Sequence, residues 1–210
     1  MKKIIFSAII CFAFIFNAQA QDKEEVIYNE NYSDWQVKVR GLYVSPAPYF
    51  YRNVDAIEVD ISTTFAPELG FAYFFSRKMS AELMVNTSTH DVEVEGGSNL
   101  GSITLISPTL SLLHHLYIDE KWKPYIGAGL NYTAYTNEDA GDLTSIEYKN
   151  ELGYVIQAGL DYRINDKWFI NLDFRKIYLK TEVTGDNNTD QTAEVNVDPI
   201  IFGFGIGRNF

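Results

Sequence analysis

The stretch that most limits what this chain can become is 166–179, D-K-W-F-I-N-L-D-F-R-K-I-Y-L. Read at every second residue, it separates into two unlike sets. Trp168, Ile170, Leu172 and Phe174 form an apolar row, and Phe169, Asn171, Asp173 and Arg175 a largely polar one. A period of two is a β-strand with two different faces. Cost decides which face meets what. Arg175 on a lipid face would cost about 2–4 kcal/mol near the bilayer midplane. The apolar row in water would need a covering layer, and no helix or second sheet can be read from the chain to supply one. A transmembrane β-barrel strand, apolar outward and polar inward, satisfies both faces.

The N-terminus reads as a secretory signal over residues 1–20. Lys2 and Lys3 precede the apolar run Ile4–Phe16, and Ala18-Gln19-Ala20 is an A-x-A cleavage site. A membrane helix would need a longer run. The single cysteine, Cys11, lies inside this signal, too far before the cleavage site for a lipoprotein cysteine. The mature chain is thus expected to fold without a disulfide. Removing Lys2 and Lys3 leaves 15 basic against 28 acidic residues, a net charge of −13. That balance excludes a nucleic-acid binder, which needs a basic surface. No later segment is apolar for long enough to span a bilayer as a helix. Aromatics at 15% fit an outer-membrane barrel.

Residues 21–34 are short and acidic and read as a periplasmic tail. The barrel is expected over 35–210, as eight antiparallel strands: about Trp35–Val44, Thr63–Phe75, Ser80–Thr89, Thr104–Tyr117, Pro124–Tyr135, Leu152–Arg163, Asp166–Leu179 and Glu194–Phe210. The long connections between them are Ser45–Ile61, His90–Ser102, Thr136–Asn150 and Glu182–Ala193. Short turns alternate with long loops, periplasmic and extracellular respectively in this class. That topology sends Trp35, Trp122 and Trp168 to the periplasmic end as one aromatic girdle. The fold class is therefore all-β, an eight-stranded antiparallel transmembrane barrel in the outer membrane of a Gram-negative bacterium. Phe210, ending an apolar strand, looks like the signal read by the barrel assembly machinery. Arg208 stands where a second aromatic is common.

Eight charges are expected to face inward: Lys38, Arg40, Arg163 and Arg175 against Glu68, Glu82, Asp161 and Asp173. The interior of an eight-stranded barrel is just wide enough for side chains, so these should pair. They are either a structural plug or the walls of a narrow polar channel. A wide pore is excluded, because porins use about 16–18 strands. Pro67, Pro108 and Pro199 fall inside predicted strands, where a proline cannot donate to the ladder. Each either makes a harmless bulge or opens a gap through which an apolar solute leaves sideways. His114 and His115 are adjacent and point to opposite faces, so they cannot share a metal. His90 with Ser88 is a possible base and nucleophile, but no third partner is evident. No catalytic activity, cofactor or metal is expected.

Several motifs together resemble the OmpW family of small outer-membrane barrels. They are P-Y-I-G-A-G-L-N-Y-T (Pro124–Thr133), G-Y-V-I-Q-A-G-L-D-Y (Gly153–Tyr162), W-F-I-N-L-D-F-R (Trp168–Arg175), V-D-P (Val197–Pro199) and the terminal Phe210. Trp35 followed by V-R-G-L (Val39–Leu42) fits the first strand, and Ile106-Ser107-Pro108 stands where the family often shows Leu-Pro-Pro. The resemblance implies a narrow, rather hydrophobic upper channel and passive uptake of small hydrophobic molecules, with lateral release into outer-membrane lipid. Leu42 and Met84, both expected inward, would line that channel. The competing expectation is a closed structural or adhesive barrel whose extracellular loops bind a partner.

Overall fold

The computed structural model describes residues 34–46, 49–51, 59–94, 98–116, 121–136, 146–186 and 190–210. The signal reading and nearly all of the tail lie outside these residues. Among the described residues are thirteen strands: β1 Trp35–Ser45, β2 Tyr49–Tyr51, β3 Val59–Ile61, β4 Thr64–Ser76, β5 Met79–Val94, β6 Ser98–His115, β7 Trp122–Thr136, β8 Ile146–Tyr148, β9 Glu151–Arg163, β10 Trp168–Tyr178, β11 Lys180–Asp186, β12 Asp190–Asn196 and β13 Ile200–Asn209. There is no helix among the described residues.

Eight of these strands close a barrel in the order β1, β4, β5, β6, β7, β9, β10, β13, and β13 pairs back on β1. Every seam is antiparallel. Closure matters because an open edge in lipid would leave a row of unmet N–H and C=O groups. The alternation read from the sequence holds in space. In β10 the residues Phe169, Asn171, Asp173 and Arg175 are buried, while Leu172 and Phe174 are exposed. Phe65, Phe71, Leu110, Tyr154 and Phe204 are exposed in the same way on other strands. An apolar belt of that extent is a lipid-facing surface.

The lower rim carries the tryptophans. Trp35 pairs with Tyr73, Trp122 with Tyr162 and Trp168 with Arg208, all at the end that holds the Arg77–Lys78 turn. Trp35 and Trp122 lie against their tyrosines at ring separations of 4.7 Å, and the Arg208 guanidinium covers Trp168 at 5.5 Å. Phe210 closes the rim through its backbone, its N–H donating to the Trp35 carbonyl at 3.0 Å.

Two of the expected long connections are corrected. His90–Ser102 is not one long loop. β5 and β6 run on as a hairpin to Val94 and Ser98, past a bulge in which Leu100 and Gly101 face Val92. Gly101 takes φ 94°, which suits glycine there. Glu182–Ala193 is likewise mostly strand: β11 and β12 pair from Lys180–Asn196 to Asp186–Asp190. They form a second sheet with β2 and β8 in the order β2-β12-β11-β8, which uses parts of Ser45–Ile61 and Thr136–Asn150 as well. Lys149, in the exposed connector to β9, bridges Glu182 (3.2 Å) and Glu151 (3.4 Å), and these hold its pKa above the usual lysine range. The eighth strand starts later than expected. Asp198 interrupts it at φ 34°, and β13 begins at Ile200. Asp tolerates this left-handed backbone better than most residues, and its Oδ1 accepts a hydrogen bond from Leu179 N–H at 3.0 Å.

Candidate functional site

The inward face is built in three levels, set by the alternation on each strand. The lowest contains Phe74, Ser80, His115, Tyr125 and Phe169, all buried. His115 Nε2 and Ser80 Oγ are 2.9 Å apart.

Above it lies a charged level. Arg175 meets both carboxylate oxygens of Glu68, at 2.7 and 2.9 Å. Arg40 reaches Glu68 at 3.0 Å and Asp173 at 3.5 Å, and also pairs with Glu82. Lys38 donates to Glu82 at 3.1 Å. Asp173 lies 2.6 Å from Arg175 Nε and accepts from Tyr125 Oη–H (2.6 Å) and Gln157 Nε2–H (2.7 Å). Lys38, Arg40 and Arg175 thus balance Glu68, Glu82 and Asp173. Two of the expected charges stand apart from these ion pairs. Asp161 accepts from Asn171 at 2.7 Å, and Arg163 pairs with Asp166 in the turn before β10. Met84 sits on the network, its sulfur 3.3 Å from an Arg175 nitrogen and 3.8 Å from Gln157 Nε2. Every one of these network side chains is buried. The ion pairs therefore gain from a low dielectric, and each partner becomes costly to lose.

One inward position further toward the loops, the chemistry divides around the ring. On β1, β4, β9, β10 and β13 the residues are Leu42, Ala66, Val155, Ile177 and Ile201, which pack with Val44 and Leu179 as one apolar cluster. On β5, β6 and β7 they are Asn86, Ser107, Thr109, Asn131 and Thr133, all buried. In this closed order β5, β6 and β7 lie across the barrel from β10, β13 and β1. The upper lumen therefore has one oily wall and one hydrogen-bonding wall.

The expected prolines meet this level. The β4–β5 register begins at Glu68–Asn86, so residues 64–67 carry no ladder pair to β5. Ser62 ties the far end of that break: its N–H donates to Asp91 O (3.0 Å), its Oγ accepts from Asp91 N–H (2.9 Å), and its carbonyl lies 2.7 Å from His90 Nδ1. The β6–β7 register stops at Ile106–Ala134 and resumes at Thr109–Asn131, leaving out Ser107 and Pro108. Two long side-chain contacts cross there: Asn131 Nδ2 to Pro108 O at 3.4 Å, and Ser107 Oγ to Thr133 Oγ1 at 3.4 Å. At Pro199 the β10 side stays joined, since Ile177 N–H donates to Pro199 O at 3.0 Å. On the β1 side, pairing stops at Ser45–Ile200 and resumes at Tyr49–Asn196.

Ser88 Oγ and His90 Nε2 are 3.1 Å apart, so the sequence-nominated pair does meet. Its third member is the Ser62 carbonyl, not a carboxylate. The three act as a clasp between β5 and the segment before β4. Sequence reasoning missed the polar arc. Each of its residues stood on the expected inward face, but their gathering on three adjacent strands follows only from the register.

A family model described as OmpW family matches residues 48–210. The chain belongs to the OmpW family. Among curated proteins, the uncharacterized outer-membrane protein y4mB of Sinorhizobium fredii is 32% identical over 184 residues, covering 85% of this chain and 80% of that protein. Outer membrane protein AlkL of Ectopseudomonas oleovorans is 27% identical over 160 residues, with coverages of 73% and 69%. Of solved structures, OprG from Pseudomonas aeruginosa matches with a TM-score of 0.76 at 22% identity, over 85% of this chain and 96% of that one. AlkL in lipid bilayers matches at 0.69 and 25%, over 89% and 93%. Like other OmpW-family barrels, the protein resides in the outer membrane of the Gram-negative envelope, in contact with its lipid.

Proposed function

We propose that this OmpW-family barrel admits small hydrophobic molecules passively from outside and releases them sideways into the membrane through the β6–β7 seam. The observation that carries the reading is the ladder break at Ser107–Pro108, level with the apolar cluster and directly above the charged level. The buried ion pairs form a floor that a solute without charge has no means to displace. An apolar solute entering from the loops therefore gains by packing on Leu42, Val155 and Ile177, and its low-cost way out is lateral. The β6–β7 break is the favoured exit, because the β4–β5 break is clasped by Ser62 and His90. Leu42 lines the oily wall, and Met84 caps the floor. The kinship with PahQ of Pseudomonas aeruginosa, a dibenzothiophene metabolism operon protein 34% identical over 115 residues (54% of each chain), favours an apolar cargo.

Uptake of naphthalene by cells with and without the protein tests this. Faster uptake with the protein, lowered by Pro108→Val in a barrel that still assembles, supports it. Equal uptake with and without the protein rejects it.

A further inference from the structure

The divided upper lumen has a consequence for which molecules pass. A path for pure hydrocarbon would need only the oily wall. Here three of the eight strands present Asn86, Ser107, Thr109, Asn131 and Thr133, and burial of so much polar chemistry is costly unless hydrogen bonds are made. Some of those bonds are good: Asn131 Nδ2–H to Thr109 Oγ1 and Thr133 Oγ–H to Asn131 Oδ1, both 2.8 Å. Those at the seam are not. Asn131 Nδ2 reaches across it to Pro108 O, and from β5 Asn86 Nδ2 reaches Ser107 O, each at 3.4 Å. That is beyond the usual range for a strong N–H···O bond. Just below, Ser111 Oγ and Gln157 Oε1 are buried and make no hydrogen bond to the protein. The seam strands β6 and β7 and their neighbours β5 and β9 thus hold weakly engaged amide donors and oxygen acceptors without a hydrogen bond.

We infer that the preferred cargo is an apolar body bearing one uncharged hydrogen-bonding group, such as a hydroxyl, with Asn131 and Asn86 as the specificity-determining residues. This rests on the proposed path through the β6–β7 seam. A hydroxyl can accept from either asparagine amide and donate to Ser111 Oγ or Gln157 Oε1. Its ring or chain meanwhile lies on Leu42, Ile177 and Ile201. By replacing the 3.4 Å contact between Asn131 and Pro108 it loosens the seam it leaves through. A hydrocarbon of the same shape fits the oily wall but leaves the polar arc unanswered.

The test compares 1-naphthol with naphthalene, a pair differing by one hydroxyl, in uptake by cells carrying the full-length protein. The readout is the ratio of their protein-dependent rates. Asn131→Leu is expected to lower that ratio about fivefold, the worth of one ordinary hydrogen bond. Asn131→Ser, which keeps a hydrogen-bonding group, should restore most of it. Asn86→Leu lowers the ratio from the β5 side and serves where Asn131→Leu does not assemble. An unchanged ratio in an assembled leucine variant overturns the inference while leaving the channel in place. If the wild-type protein speeds neither compound, the channel itself is wrong and the inference falls with it.

Discussion

Arg175 and Glu68 are 107 residues apart in sequence, yet they meet through two parallel hydrogen bonds inside the barrel. The pair joins β10 to β4, two strands that share no seam, so it braces the lumen from side to side. Removing one partner strands a buried charge. Arg175→Met is expected to cost about 3–5 kcal/mol of unfolding free energy. Arg175→Met with Glu68→Leu removes one charge of each sign and should recover most of that loss. Urea unfolding of the refolded barrel in lipid vesicles measures both. Additive losses in the double variant would refute the bracing role.

Glycines on the two faces of the wall make a second prediction. A Cβ at Gly205 would run into the Val39 carbonyl and the Arg40 side chain, whereas one at Gly41 would meet nothing within 4 Å. Gly205→Ala should destabilise by about 1–3 kcal/mol through overpacking. Gly41→Ala should stay within about 0.5 kcal/mol, as an ordinary surface change does. The same unfolding experiment separates them.

Asp198 supplies a third. It combines a left-handed backbone with a side-chain hydrogen bond to Leu179 N–H. Asp198→Ala loses both advantages and should cost about 1–3 kcal/mol. Asp198→Asn keeps both and should cost under about 1 kcal/mol. Equal losses in the two would mean that neither feature matters.

The sequence was most readable where lipid lies on one side and packed side chains on the other. In β10 and β4 this contrast writes apolar and polar residues alternately, and the strands were placed within a residue or two. It fades beyond the bilayer. Lys180–Asp186 is K-T-E-V-T-G-D, with water replacing lipid outside, so its period disappears although its ladder continues. The charged residues announced themselves on inward positions, but partner choice did not. Arg163 alternates in step with Asp161, yet it sits low enough to turn to Asp166 in the exposed turn. Pro67, Pro108 and Pro199 stand where ladder pairs are missing or end, and the differences among them come from neighbours remote in sequence. Ser62 clasps one break, and Asn131 reaches across another from β7.

The most direct test of sideways release is to lock the β6–β7 seam. Ser107 and Thr133 bring side-chain oxygens within 3.4 Å of each other across the seam, so cysteines there are the pair to cross-link, and the one natural cysteine, Cys11, lies in the segment read as a signal. Cells carrying Ser107→Cys with Thr133→Cys would be assayed for naphthalene uptake when oxidised and again after reduction. Uptake that falls to the level of cells lacking the protein when the seam is locked, and returns on reduction, is the predicted result. Uptake that is unaffected by the lock would contradict release through this wall.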